Sequence, residues 1–165
     1  MGMTGKETIR KLKHNLYISG IGVILLGVWG CLKATMTLYL SGDGLDTSGI
    51  EEEALPIYLG IVIVILVLIN VIIMAFHLYV GLNAMKEGKK ENKKIVYLFV
   101  AGFMGVLSLL TIAGDIAFIR DNFSQIDLAL ASFLVDFTFL FIIVDIIYSS
   151  VKIRKLEKQG NVKGV

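Results

Sequence analysis

Long apolar stretches separated by short polar segments dominate the pattern of residues along this chain. Four stretches stand out, and they are Leu16–Leu40, Ile57–Leu82, Ile95–Phe118 and Leu128–Val151. Each exceeds the ~20 residues that a helix needs to cross a hydrocarbon core ~30 Å thick. Only helices and closed barrels satisfy their backbone polar groups in lipid, and barrel strands would alternate over segments of about ten residues. The pattern therefore predicts four transmembrane helices.

The polar segments between these stretches are short, so consecutive helices are expected to be neighbours that run in opposite directions. The polar segments include an acidic exterior loop at 41–55 and a basic cytoplasmic loop at 86–94, and a basic cytoplasmic tail at 152–165 follows the last stretch. Pro56 suits the first turn of the second helix, where its missing N–H costs nothing. The predicted fold is all-α, an integral membrane four-helix up-down bundle that forms a single membrane domain over residues 1–165.

Composition agrees with a membrane location. Of the 165 residues, 56% are hydrophobic and 18% are charged, whereas soluble domains have about 45–50% and about 25%. A soluble domain of this length could not bury so much apolar surface, because small bodies have too much surface for their volume. This excludes most soluble enzymes and nucleic-acid-binding modules.

The basic residues predict the orientation of the bundle. Fourteen of the sixteen Lys and Arg residues lie in the N-terminal segment, the 86–94 loop and the 152–165 tail. Basic residues accumulate on the cytoplasmic side of membrane proteins. Both termini are therefore expected to be cytoplasmic, in a plasma or inner membrane. An even number of spans likewise requires both termini to lie on the same side. The basic segments are expected to contact anionic lipid headgroups and not nucleic acid.

The first stretch is 25 residues long, and the apolar region of a cleaved signal peptide is typically 7–15. We therefore expect a retained helix. Val28–Cys31 loosely resembles a bacterial lipobox. Two interpretations of Cys31 stay open: a small packing residue inside the helix, which we favour, or a lipidated cysteine.

Small residues predict close helix packing in the first and third stretches. Gly27 and Cys31, with Gly30 beside them, follow a small-xxx-small pattern, as do Ala101 and Gly105. This pattern lets two helix backbones approach closely. It fits packing within one bundle, which we favour, and also fits homo-oligomerisation through one of these faces.

Ionisable residues inside the spans are costly and are expected to have partners. At ~1.5 Å per residue, Lys33 and Asp136 lie at similar depth, and Asp115 is shallower. Because the first and fourth helices are neighbours in an up-down bundle, we predict a Lys33–Asp136 ion pair, with Asp115 as the second choice. A structural ion pair is the favoured interpretation, and a transport site is the alternative.

Further polar residues occur at helical spacing. Ser108, Thr111 and Asp115 share one helix face, which fits an interhelical hydrogen-bond seam or the lining of a wet crevice. Asn70 and His77 also share a face, and Asp145 lies at a depth similar to that of His77. Two interpretations of His77 stay open: a hydrogen bond to Asp145, or a lone histidine with a local partner near the interface. Asp136 and Asp145 are nine residues apart and should point to opposite faces of their helix.

No catalytic or phosphate-binding motif is present, so we expect no enzymatic activity, no metal and no cofactor. The chain is expected to be a non-enzymatic interaction or accessory membrane protein. Its expected partner is a further copy of itself, in a homo-oligomer, or another membrane protein. The alternative is an oligomeric ion- or proton-coupled transporter or channel that uses the intramembrane polar residues. A lipid-directed enzyme using His77 and Asp145 ranks last.

Overall fold

The computed structural model describes the backbone of residues 5–40, 53–89, 94–121 and 126–162, and the side chains of 6–36, 53–89, 94–117 and 130–159. Four α-helices make up these ranges: α1 (Gly5–Leu40), α2 (Leu55–Gly88), α3 (Val96–Asp121) and α4 (Ile126–Val162). The predicted acidic loop before residue 53 and the basic residues at 90–93 and 163 lie outside the described residues.

All four helices are long and apolar enough to cross a membrane. The shortest, α3, has 26 residues, which corresponds to about 39 Å at 1.5 Å per residue and exceeds the ~30 Å hydrocarbon core. The structure thus confirms the all-α fold and the four candidate spans among the described residues. The helices exceed the apolar stretches at several ends, because α2 continues to Gly88 and α4 to Val162.

Local sequence accounts for the ends of α2. Pro56 occupies its first turn, as predicted, and the Tyr58 N–H donates to the Ala54 carbonyl at 3.0 Å. At the other end, the Lys89 N–H donates to the Met85 carbonyl at 3.0 Å. The final turn of α2 therefore lies within the segment that the sequence pattern assigned to a loop.

The helices form a bundle in which α1 and α4 are the central pair. α1 packs along α2 and α4, and α3 packs along α4, whereas α2 meets α3 and α4 only over short stretches. The predicted neighbour relation between the first and fourth helices is confirmed. Contacts between α1 and α2 pair Gly20 with Gly81 and Gly27 with His77.

The hydrophobic core occupies the half of the bundle where α1 and α3 begin and α2 and α4 end. Its members are Leu12, Leu16, Val23, Val80, Ala84, Tyr97, Ala101, Met104, Ile143, Ile146 and Ile153. All the buried residues of α2 lie at Val80 or beyond. From Ile57 to Ile72, most large apolar side chains of α2 are more than 45% exposed. Such exposure is inexpensive in lipid, because lipid tails are as apolar as the side chains.

Candidate functional site

Two polar clusters join the helices, one in each half of the bundle. We call the first the Lys33 cluster, and its members are Lys33, Asp115, Ser132 and Asp136. We call the second the Glu87 cluster, and its members are Glu87, Tyr97, Ser150 and Arg154. Each cluster brings together three helices, so each ties the bundle together by directional hydrogen bonds as well as by packing.

In the Lys33 cluster, one ammonium from α1 meets two carboxylates. Lys33 Nζ lies 2.6 Å from Asp136 Oδ2 on α4 and 3.4 Å from both carboxylate oxygens of Asp115 on α3. The order of these distances matches the predicted order of partners. The Lys33 side chain is 28% exposed and each aspartate 16%, so the cluster is largely shielded by the helices.

Serine hydroxyls complete this cluster. Ser132 Oγ donates to Asp115 at 3.2 Å, and Ser108 Oγ donates to the Asp136 backbone carbonyl at 3.2 Å. Thr111 turns back onto its own helix and donates to the Ser108 carbonyl at 2.9 Å. Of the predicted stripe on α3, Ser108 and Asp115 therefore reach α4, whereas Thr111 is exposed.

Asp145, the other aspartate of α4 whose side chain the structure describes, has hydroxyl partners. Ser19 Oγ of α1 donates to Asp145 Oδ2 at 2.7 Å, and Ser149 Oγ is 3.4 Å from Oδ1. Asp136 and Asp145 thus both contact α1, although they were expected to point to opposite faces of α4. Side-chain length explains part of this difference from the expectation. The long Lys33 side chain reaches Asp136 from a distance, whereas the short Ser19 side chain requires Asp145 to lie close to α1.

The predicted His77–Asp145 hydrogen bond is wrong. His77 Nδ1 instead lies 2.7 Å from the Ile73 carbonyl of its own helix, and its ring packs against Phe139 with centroids 5.1 Å apart. The two side chains lie at different levels of the bundle, because His77 packs against Gly27 whereas Asp145 bonds to Ser19, and eight residues correspond to about 12 Å along a helix.

Asn70, near the middle of α2, links this helix to the last third of α1. Its Nδ2 donates to the Leu66 carbonyl at 2.9 Å and lies 3.4 Å from Thr35 Oγ1. Cys31 Sγ is 3.5 Å from the Asn70 carbonyl oxygen, which is compatible with a weak S–H donor. The Asn70 Oδ1 atom is buried without a partner among the described residues.

The predicted small residues pack inside the bundle. A Cβ atom at Gly27 would lie 2.6 Å from the Cβ of His77, and one at Gly30 would lie 3.4 Å from Ile73. On α3, Ala101 is fully buried, and a Cβ at Gly105 would lie 3.3 Å from Ile143 on α4. These positions therefore allow close helix contacts within one chain, which was the favoured interpretation.

The Glu87 cluster was not predicted. Glu87 is only 4% exposed, and its carboxylate accepts from Arg154 Nη2 at 2.7 Å and from Arg154 Nε at 3.1 Å. Tyr97 and Ser150 donate to the same carboxylate, each at 2.8 Å. The two-pronged contact is the strongest geometry available to an Arg–carboxylate pair. A signal was present in the sequence, because Ser150 and Arg154 are four residues apart and share a helix face.

A third ion pair and a cleft lie close to this cluster. Lys13 Nζ of α1 is 2.7 Å from Glu157 Oε1 of α4. Next to it, α1, α2 and α4 enclose an open cleft of about 950 Å³, with Lys6, Arg10 and Lys89 among its lining residues. No group of three or more potential metal ligands occurs among the described residues.

The chain matches no protein-family model, no curated protein and no solved structure.

Proposed function

We propose that the chain is a small multi-pass membrane protein that acts without catalysis, as an interaction or accessory subunit of a membrane assembly. One observation carries this proposal. Every described acid within the apolar stretches is engaged inside the bundle, since Asp115 and Asp136 contact Lys33, and Asp145 contacts two serines. Such polar residues hold helices together in lipid, so they need no further role to explain their presence.

The topology that goes with this proposal is an up-down bundle with both termini in the cytoplasm. Two features support it. Residue numbers rise along α1 as they fall along α2 in the Gly20–Gly81, Gly27–His77 and Gly30–Ile73 contacts. Fourteen of sixteen basic residues lie in the segments that this topology assigns to the cytoplasm, as the positive-inside rule requires.

The surface through which such a protein would act is the exposed part of α2, residues 57–72. Ile61, Ile65 and Leu68 are each more than half exposed, and neighbouring helices cover little of this half of α2. The occupant that we propose is a transmembrane helix of a partner protein. Helices associate in lipid by packing and hydrogen bonding, without a hydrophobic driving force.

A specific observation favours a second function, that of an oligomeric ion- or proton-coupled transporter or channel. The Lys33 cluster sets two carboxylates against one ammonium, so one negative charge has no counter-charge within the cluster when both acids are ionised. Charged groups of this kind inside membranes often mark ion or proton pathways. In this alternative, Asp136, Lys33 and Asp115 act in one half of the membrane, with His77 and Asp145 in the other.

Flux measurements separate the two functions. Three samples are compared: liposomes with wild-type protein, liposomes with Asp136→Asn, and empty liposomes. Each is loaded with a pH-sensitive dye, and a proton, sodium or potassium gradient is imposed across its membrane. The accessory function predicts that all three give equal flux. Flux above that of empty liposomes that disappears in Asp136→Asn would contradict it and favour transport.

Charge reversal tests whether the Lys33–Asp136 pair is structural. We expect Lys33→Asp and Asp136→Lys each to lower the melting temperature in detergent, because each places like charges together. The double variant should recover much of the loss, since it restores opposite charges across the 2.6 Å contact. A double variant no better than either single variant would show that this pairing does not stabilise the bundle.

Photo-cross-linking in membranes tests the partner surface. A photoreactive residue at Ile65 or Leu68 on α2 should give one protein adduct of defined size. Phe141 and Val144 on α4 are matched controls, because they are equally apolar and more than half exposed. Lipid adducts alone at all four positions would refute a partner at α2.

A further inference from the structure

A cleft with a strongly charged lining lies between α1, α2 and α4. We call it the α1–α2–α4 cleft, and its volume is about 950 Å³. It opens at the end of the bundle where α1 begins and α2 and α4 end. Ile9, Tyr17 and Ile153 give it apolar walls, so it combines a charged mouth with a surface that tolerates acyl chains.

The lining of the cleft is strongly basic. It contains five Lys or Arg residues against two Glu residues, and also His14. Both acids are already engaged, since Glu87 contacts Arg154 and Glu157 contacts Lys13. The positive excess therefore rests on Lys6, Arg10 and Lys89.

Tyr17 helps to position one of these cations. Lys89 Nζ lies 5.2 Å from the centre of the Tyr17 ring, within the range of a cation–π contact. A Cβ atom at Gly88 would lie 2.8 Å from the Lys13 carbonyl oxygen of α1. This close approach of α1 and α2 brings Lys89 to the cleft beside the first turns of α1.

The depth of the cleft matches the headgroup layer. Arg10 lies six residues before Leu16, where the first apolar stretch begins, which is about 9 Å along a helix. Lys13 is about 4 Å and Lys89 about 10 Å beyond the ends of their stretches by the same rise. The interfacial layer on each side of a bilayer is about 5–8 Å thick, so these cations lie at or just beyond lipid phosphates.

We propose that the α1–α2–α4 cleft binds the phosphate-bearing headgroup of an anionic phospholipid, with Arg10 and Lys89 as the principal contacts. Basic pockets between transmembrane helices at this depth favour such headgroups. The proposal rests on the membrane topology proposed above, but not on the accessory function or on the α2 surface. Neither Asp136 nor the exposed part of α2 lines the cleft, so the flux and cross-linking tests stay independent of it.

Native mass spectrometry of the full chain in non-ionic detergent tests this site. The probes are phosphatidylglycerol, phosphatidylcholine with the same acyl chains, and inorganic phosphate. The test variant is Arg10→Ala with Lys89→Ala. The matched control is Lys11→Ala with Lys86→Ala, which removes equal charge from neighbouring exposed positions that do not line the cleft.

We expect wild-type protein to retain phosphatidylglycerol over phosphatidylcholine, and rising salt to weaken that preference. The test variant should lose affinity for phosphatidylglycerol by about tenfold or more, because each basic residue near lipid contributes on the order of 1 kcal/mol. The control should stay within about twofold. The charge-preserving variant Arg10→Lys with Lys89→Arg should also retain the lipid, which separates loss of charge from loss of folding.

Three results would overturn the proposal. Equal losses in the test and control variants would indicate diffuse attraction and not a cleft. Salt-independent retention by wild-type protein would exclude recognition by charge. Inorganic phosphate that displaces phosphatidylglycerol at equal concentration would assign the cleft to free phosphate.

Discussion

Glu87 is the most constrained charged residue among those described. Four hydrogen bonds from three side chains reach its carboxylate, and it is nearly inaccessible. The Arg154 guanidinium also donates to the Lys94 carbonyl at 3.1 Å, which fixes the chain just before α3. A single carboxylate therefore organises the ends of three helices.

Replacing Glu87 by Gln should destabilise the bundle strongly. The substitution keeps the shape but removes the negative charge, so Arg154 is left partly buried without its counter-charge. Breaking such a pair costs about 3 kcal/mol or more, and the variant should melt well below wild type in detergent.

The control for Glu87→Gln is Glu157→Gln. It breaks the Lys13–Glu157 pair, whose glutamate is 27% exposed, and partly exposed pairs contribute about 1 kcal/mol or less. Equal melting temperatures for the two variants would mean that the Glu87 cluster adds no more than an ordinary surface pair.

At the scale of the element, α1 and α2 make a close backbone contact at two glycines, one on each helix. A Cβ atom at Gly81 would lie 2.6 Å from the Gly20 carbonyl oxygen, and one at Gly20 would lie 2.7 Å from the Gly81 carbonyl oxygen. Backbone atoms cannot rotate out of the way as a flexible side chain can. These two positions therefore set the distance between the helices.

Gly81→Ala should separate α1 from α2 and destabilise the protein by about 1–3 kcal/mol, the usual cost of overpacking. Gly60→Ala is a matched control in the same helix, because nothing lies within 4 Å of a Cβ atom there. Alanine at Gly60 should be neutral or stabilise by up to about 1 kcal/mol through helix propensity. Thermal melting in detergent measures both, and a Gly81→Ala variant as stable as Gly60→Ala would contradict the close contact.

The helices were predictable from sequence because their apolar stretches are long, whereas several of their contacts were not. A helix that is apolar on all sides, such as α2, gives no periodic signal for the direction of its buried face. Depth, together with the expected contact between the first and fourth helices, placed Lys33 beside Asp136, since the long lysine side chain tolerates errors in direction. The same argument failed for His77 and Asp145. Glu87 was missed because an acid next to a basic loop resembles a solvated residue.

At the scale of the whole molecule, packing and charge are distributed unequally along the bundle. The core, the Glu87 cluster and the basic cleft all lie in the half where α1 begins. The other half holds the Lys33 cluster and the exposed part of α2. In the proposed topology, the tightly packed half faces the cytoplasm, and the loosely packed half leaves room for a partner helix.

This orientation predicts which positions a membrane-impermeant maleimide reaches in intact cells. Single cysteines at Glu53, Lys86 and Lys158 occupy exposed sites, with Cys31→Ala removing the native thiol. We expect label at position 53 in intact cells, and at positions 86 and 158 only after permeabilisation. The Cys31→Ala protein without an added cysteine should remain unlabelled, and denatured samples should show equal reactivity at all three sites. Label at position 158 but not at position 53 in intact cells would show the opposite topology. The basic cleft would then lie on the outer surface, contrary to the positive-inside rule.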